Sequence, residues 1–146
     1  MQRLSPAVLL LAVLAAGCGY VMAGTWVDDS GNWSRAFAST KPPDVTVVHS
    51  KYWRSPHWSV EFAYFFEIAP SPALTQQLFS KNELRQITGA DAAAARKNIF
   101  GPAPDWFAPK ASTEYDVWVF ASEPLRNFTV LIDKKSGVVF LTDYQV

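Results

Sequence analysis

The stretch DVTVVHSKYWRSPHWSVEFAYFFEI, residues 44–68, constrains the fold of this chain more than any other. β-Branched and aromatic residues crowd it, and RSPH near its middle is a turn signal. The spacing predicts a hairpin whose loop is residues 54–57, pairing Trp53 with Trp58, Lys51 with Val60 and His49 with Phe62. Side chains alternate between the two faces of a strand. Val45, Val47, His49 and Trp53 are therefore expected on one face with Trp58, Val60, Phe62, Tyr64, Phe66 and Ile68. Thr46, Ser50, Tyr52, Ser59, Glu61 and Glu67 fall on the other. The first face is aromatic and is expected inside, with Lys51 escaping at the sheet's edge.

The flanking segments suggest what covers this hairpin. In DDSGNWSRAFAST, polar residues can cap a short helix, and Trp33 and Phe37 stand four apart on one face. PSPALTQQLF reads as a helix with Ser71 as cap and Pro72 in its first turn, and NELRQITG as its continuation up to Gly89. DAAAARKNIFG is a further helix, begun by Asp91 and ended by Gly101. GPAPDWFAP carries three prolines, so it is an extended loop, with Trp106 and Phe107 riding on it. YDVWVFA and NFTVLIDKKSGVVFLTDYQV are β again, with DKKSG as a hairpin loop. The last two strands are apolar on both faces and are expected to lie centrally. Strands segregated from helices predict an α+β domain: an antiparallel sheet of about five strands with two to four short helices on one face.

At 146 residues there is room for one domain, and 49% hydrophobic against 18% charged residues is the balance of a chain with a core. The formal net charge is zero and no basic stripe is visible, so nothing here attracts nucleic acid phosphates. The single cysteine excludes an internal disulfide.

That cysteine closes an uncharged run, AVLLLAVLAAGCGY at residues 7–20, preceded by Arg3. A thin positive region and an apolar stretch have the form of a secretory signal. The LAAGC box resembles the cleavage and lipidation site of bacterial lipoprotein precursors, with Ala15 where leucine is usual. The resemblance implies cleavage after Gly17, a diacylglycerol on the Cys18 thiol and an acylated new amine; Gly19 fits the pattern of lipoproteins passed to the outer membrane, facing the periplasm. Residues 1–17 are then the signal peptide, residues 18–29 a lipid-anchored tether, and residues 30–146 the domain. Two other fates stay open. VMAG suits ordinary cleavage after Ala23, which would leave a soluble periplasmic protein, and the run from Leu4 to Val27 is just long enough to span a bilayer uncut.

The body resembles no family of known function, and its chemistry is sparse. His49, His57 and Glu61 are the tempting group, but on the predicted hairpin His57 and Glu61 stand about 13 Å apart and His49 faces the other way. They cannot share a metal ion. No metal, cofactor or catalytic residue is assigned. His49 reads as a core histidine hydrogen-bonded to a neighbour and His57 as a loop residue. A small enzyme using either with a carboxylate remains a competing reading. Trp53, Arg54 and Trp58 at the hairpin turn, and Trp106 and Phe107 on the proline loop, form a candidate partner surface, since such residues concentrate at binding hot spots. Packing onto the core is the competing account of the same residues. The function expected is a non-catalytic binding or accessory module at the membrane surface, with the membrane and an envelope protein as partners. A secreted inhibitor or immunity-type protein is the other alternative.

Overall fold

The computed structural model of this chain describes residues 23–56, 61–97, 99, 103–109, 111–122 and 127–145. Cys18, His57 and Trp58 lie outside them. Among the described residues there are seven strands: β1 Gly24–Val27, β2 Val47–Arg54, β3 Phe62–Ile68, β4 Leu84–Ile87, β5 Tyr115–Phe120, β6 Thr129–Asp133 and β7 Val139–Gln145. Three α-helices accompany them: α1 Asn32–Phe37, α2 Pro72–Lys81 and α3 Gly89–Lys97. The domain is α+β, and its one sheet is antiparallel in the order β1-β2-β3-β7-β6-β5-β4. It consists of two meanders, β1 to β3 and β4 to β7. Helix α2 leads from β3 to β4 at the opposite edge, and β7 returns to pair with β3 at the centre.

Local signals explain several elements. Ser71 Oγ accepts the Leu74 N–H at 3.1 Å, and Pro72 occupies the first turn of α2, where its missing N–H costs nothing. The β6–β7 loop is closed by Asp133, whose Oδ1 accepts the N–H groups of Lys135 and Ser136. Gly137 completes that turn at φ 73°, a region a side chain would disfavour.

The sheet is buried on both faces. On one, Tyr52, Tyr64, Phe66, Ile68, Val130, Val139 and Leu141 pack beneath Trp33 of α1 and Leu74 and Leu78 of α2. On the other, Ala63, Phe65, Val117, Leu131 and Phe140 pack beneath Ala92 of α3 and Phe107 of the extended 103–109 segment. Helices therefore cover both faces, not one.

Two strands beyond about five account for the difference in count. LRQI, read as helix, is β4: four residues with a polar middle pair with β5 because that edge offers an open ladder. GTWV, read as tether, is β1, paired with β2 from Gly24 onward.

The first hairpin also differs from its expected register. Trp53 pairs with Ala63, Lys51 with Phe65 and His49 with Glu67, because the loop runs to a Ser55 N–H to Glu61 carbonyl bond of 3.1 Å. The slip is an odd number of residues, so it exchanges faces. Tyr52 joins Tyr64 and Phe66, while Trp53 joins Ala63 and Phe65. An irregularity between Val47 and His49 completes the change, leaving Val47 packed on the first face and His49 opposite Glu67 on the second.

Phe65 is fully buried at the centre of the second face. Phe65→Ala is expected to cost about 3–5 kcal/mol in urea unfolding. Val27→Ala, at a position 59% exposed, should stay within about 0.5 kcal/mol of wild type.

Candidate functional site

The corner where β1 leaves the sheet gathers the polar chemistry of the described chain. Asp28 follows the last residue of β1 with φ 50°, turning the chain away. Its N–H donates to the Ser50 carbonyl at 2.7 Å, while its Oδ1 accepts the Ser50 N–H at 2.8 Å. The side chain thus supplies the ladder acceptor that a straight strand would supply from its backbone, and both main-chain groups of Ser50 keep a partner through the turn. Asp28 Oδ2 lies 3.4 Å from His49 Nδ1, where an ion pair forms when the imidazole is charged.

The next residues anchor α1 to this corner. Asp29 Oδ1 accepts the Gly31 N–H at 2.8 Å and an Arg35 Nη1 hydrogen at 2.5 Å. These two bonds and the Arg35 charge hold the Asp29 carboxyl below its ordinary value of 3.8. Arg35 Nη1 also donates to Asn32 Oδ1 at 2.9 Å, and its Cζ sits 4.7 Å from the Trp26 ring centroid. Asn32 is fully buried, and its amide donates to the Trp26 carbonyl and to Ser50 Oγ. Beneath this network, burial pushes the Tyr52 phenol above its ordinary value of 10.0, against the opposing pull of Arg54 and Arg35.

A cleft of about 380 Å³ opens between α1, the 41–47 segment and β2. Trp33, Val45, Val47 and Phe66 form its apolar walls; Asp28, Ser50 and Lys41 mark its polar rim. Lys41 Nζ donates to the carbonyls of Pro42 and Val45, so it braces the segment it belongs to. The Trp33 ring forms part of the apolar wall, and its buried indole N–H has no hydrogen-bond partner among the described residues. The chemistry on offer is recognition of a small, partly apolar group.

The structure separates the residues singled out from sequence. Trp53 is half-buried against the second face, next to the partly buried Arg54. Trp106 stacks on His49 with centroids 5.3 Å apart and planes at 26°. His49 and Trp53 are four residues apart on β2, or about 13 Å, so the two aromatic groups do not form one patch. Phe107 is 5% exposed and packs edge-on against Phe65 and Phe140; it belongs to the core, not to a partner surface. His49 is not a core histidine: its side chain is 42% exposed between Asp28 and Trp106. Asp28 escaped sequence reasoning because DDSG suggests only a helix start. That description fits Asp29, whereas the ladder role of Asp28 depends on where β1 ends. Among the described residues, no group of three or more His, Cys, Asp and Glu side chains could hold a metal ion.

Comparison with protein-family models, with curated proteins and with solved structures finds no match to this chain.

Two measurements probe the corner. The stability from the lowered Asp29 pKa is present above its unfolded value and is lost as pH falls through the lower folded value. Urea midpoints below about pH 4 should therefore fall less steeply in Asp29→Asn than in wild type. His49→Ala removes the stacking partner of Trp106 and should raise acrylamide quenching of tryptophan fluorescence. The increase should vanish in a Trp106→Phe background.

Proposed function

We propose that this chain is a small lipid-anchored protein of the bacterial cell envelope, acting as a non-catalytic binding module held against the membrane surface. The observation that carries the reading is the spacing between the LAAGC box and the folded body. Only five residues separate Cys18 from Gly24, where β1 begins. A fully extended link of that length reaches about 20 Å, half of what an unstructured tether running to Asp29 would allow. Two or three acyl chains at Cys18 would hold the domain firmly, since each buried methylene contributes about 0.8 kcal/mol. The β1 corner and its cleft would then lie near the bilayer, within reach of a partner on the same surface. No helix among the described residues is long and apolar enough to cross a membrane.

The Asp28–His49 pair favours a second reading, a small enzyme in which Asp28 orients His49 as a general base. Asp28 borders the cleft, but His49 is not among the cleft's lining residues, and Trp106 stacks on its ring. Binding at the cleft is the better-supported use of this corner. An inhibitor that blocks a partner with aromatic loops would need them to stand away from the fold; Phe107 is buried and Trp106 packs against the second face of the sheet.

Intact-mass measurement of the protein recovered from the host's membrane fraction tests the anchor. The expected mass begins at Cys18 and carries two or three acyl chains, and Cys18→Ser should shift the protein out of that fraction or leave it uncut. A mass beginning at Gly24, or an uncleaved and unmodified wild-type chain, would overturn the proposal.

A further inference from the structure

We infer that the outer edge of β1 is a self-pairing surface, on which two copies of this chain join their sheets antiparallel about a twofold axis at Trp26. The Asp28 N–H to Ser50 carbonyl bond sets the phase of the β1–β2 ladder. Gly24, Trp26 and Asp28 turn their backbone groups toward β2, so Thr25 and Val27 turn theirs outward. No described residue meets those outward groups, since β1 ends the strand order.

The opposite edge is guarded. In β4 the Leu84 N–H is taken by the Asn82 carbonyl at 3.0 Å, and Arg85, with Lys81 and Glu83 close by, places charge there. β1 reads GTWV, with no charge, no proline and only its shortness to discourage pairing. The two large hydrophobic residues exposed among those described, Val27 and Val48, both lie at this corner of the sheet.

The occupant follows from register. An antiparallel partner must place outward-facing residues opposite outward-facing ones. A second β1 centred on Trp26 does so, setting Thr25 of each copy opposite Val27 of the other and Trp26 opposite Trp26. About four main-chain hydrogen bonds form, and Val27 is covered by Thr25 of the partner copy. The uncharged strand brings no repulsion to this arrangement. Such an interface is smaller than the roughly 1,200–2,000 Å² of stable complexes, so the pairing depends on concentration.

Sedimentation velocity of the full-length chain in non-ionic detergent, over a hundred-fold concentration range, is the test. The expected result is a monomer–dimer equilibrium whose dissociation constant rises at least ten-fold in Thr25→Pro. That variant removes an outward N–H and leaves the β1–β2 ladder bonds intact. Should Thr25→Pro lose its native circular dichroism, Val27→Lys replaces it, with the same expected weakening. In parallel, oxidation of the double variant Thr25→Cys, Val27→Cys should give a covalent dimer in excess of the wild-type chain, which retains Cys18. Arg85→Cys at the other edge should not. A monomer at every concentration, an unchanged constant in the folded edge variant, or no excess cross-link would each overturn the inference.

Discussion

Everything in this fold depends on the pairing of β3 with β7. Each is the inner boundary of its own meander, and their seven-residue ladder from Phe62–Gln145 to Ile68–Val139 turns two small sheets into one. Neither meander has a closed core alone. The first face joins Tyr64 and Phe66 of one half to Val139 and Leu141 of the other, and the second joins Phe65 to Phe140 and Leu131. Because both strands are buried on both sides, the ladder is shielded from water, and its backbone groups have no alternative partners.

That central pairing sets what the edges can do. With its middle covered above and below, the sheet meets solvent chiefly at its rims, and a cluster of polar side chains collects where β1 ends early. At the β1 corner, Asp28 completes the ladder and frees the chain to climb over the first face, where Asp29, Asn32 and Arg35 fasten α1. The cleft is the gap left between that climbing segment, the 41–47 segment and β2. Its position follows from strand length, and its walls from the aromatic residues already committed to the core.

Local chemistry was legible in the sequence and long-range pairing was not. Ser71–Pro72 announced α2, Asp133 and Gly137 announced the last hairpin, and Trp33 with Phe37 announced α1, because each signal is satisfied by residues close by. β4 was hidden because LRQI has no strong strand character; only the presence of β5 beside it decides its state. The faces of β2 differ from expectation because RSPH marks a turn without fixing its length, and an odd slip in register exchanges the faces of His49 to Arg54. The run AYFF in β3 did carry a clue: alternation cannot place Tyr64, Phe65 and Phe66 all inside unless both faces are covered. Of the site, His49 was visible as a residue of interest, but its neighbours Asp28 and Trp106 come from distant segments that only the assembled sheet brings together.

The place of β7 has a consequence for the order in which the molecule can be made. The strand at the middle of the sheet is the last of the seven in sequence, so the six before it emerge with no keystone between them. Two half-sheets, each with an uncovered inner strand, must wait for residues 139–145 before either closes. Contacts so far apart in sequence form slowly, and a chain that cannot close its sheet early stays loose until they do. Late closure is thus written into the strand order: the two half-sheets lock only when the last strand slots between them.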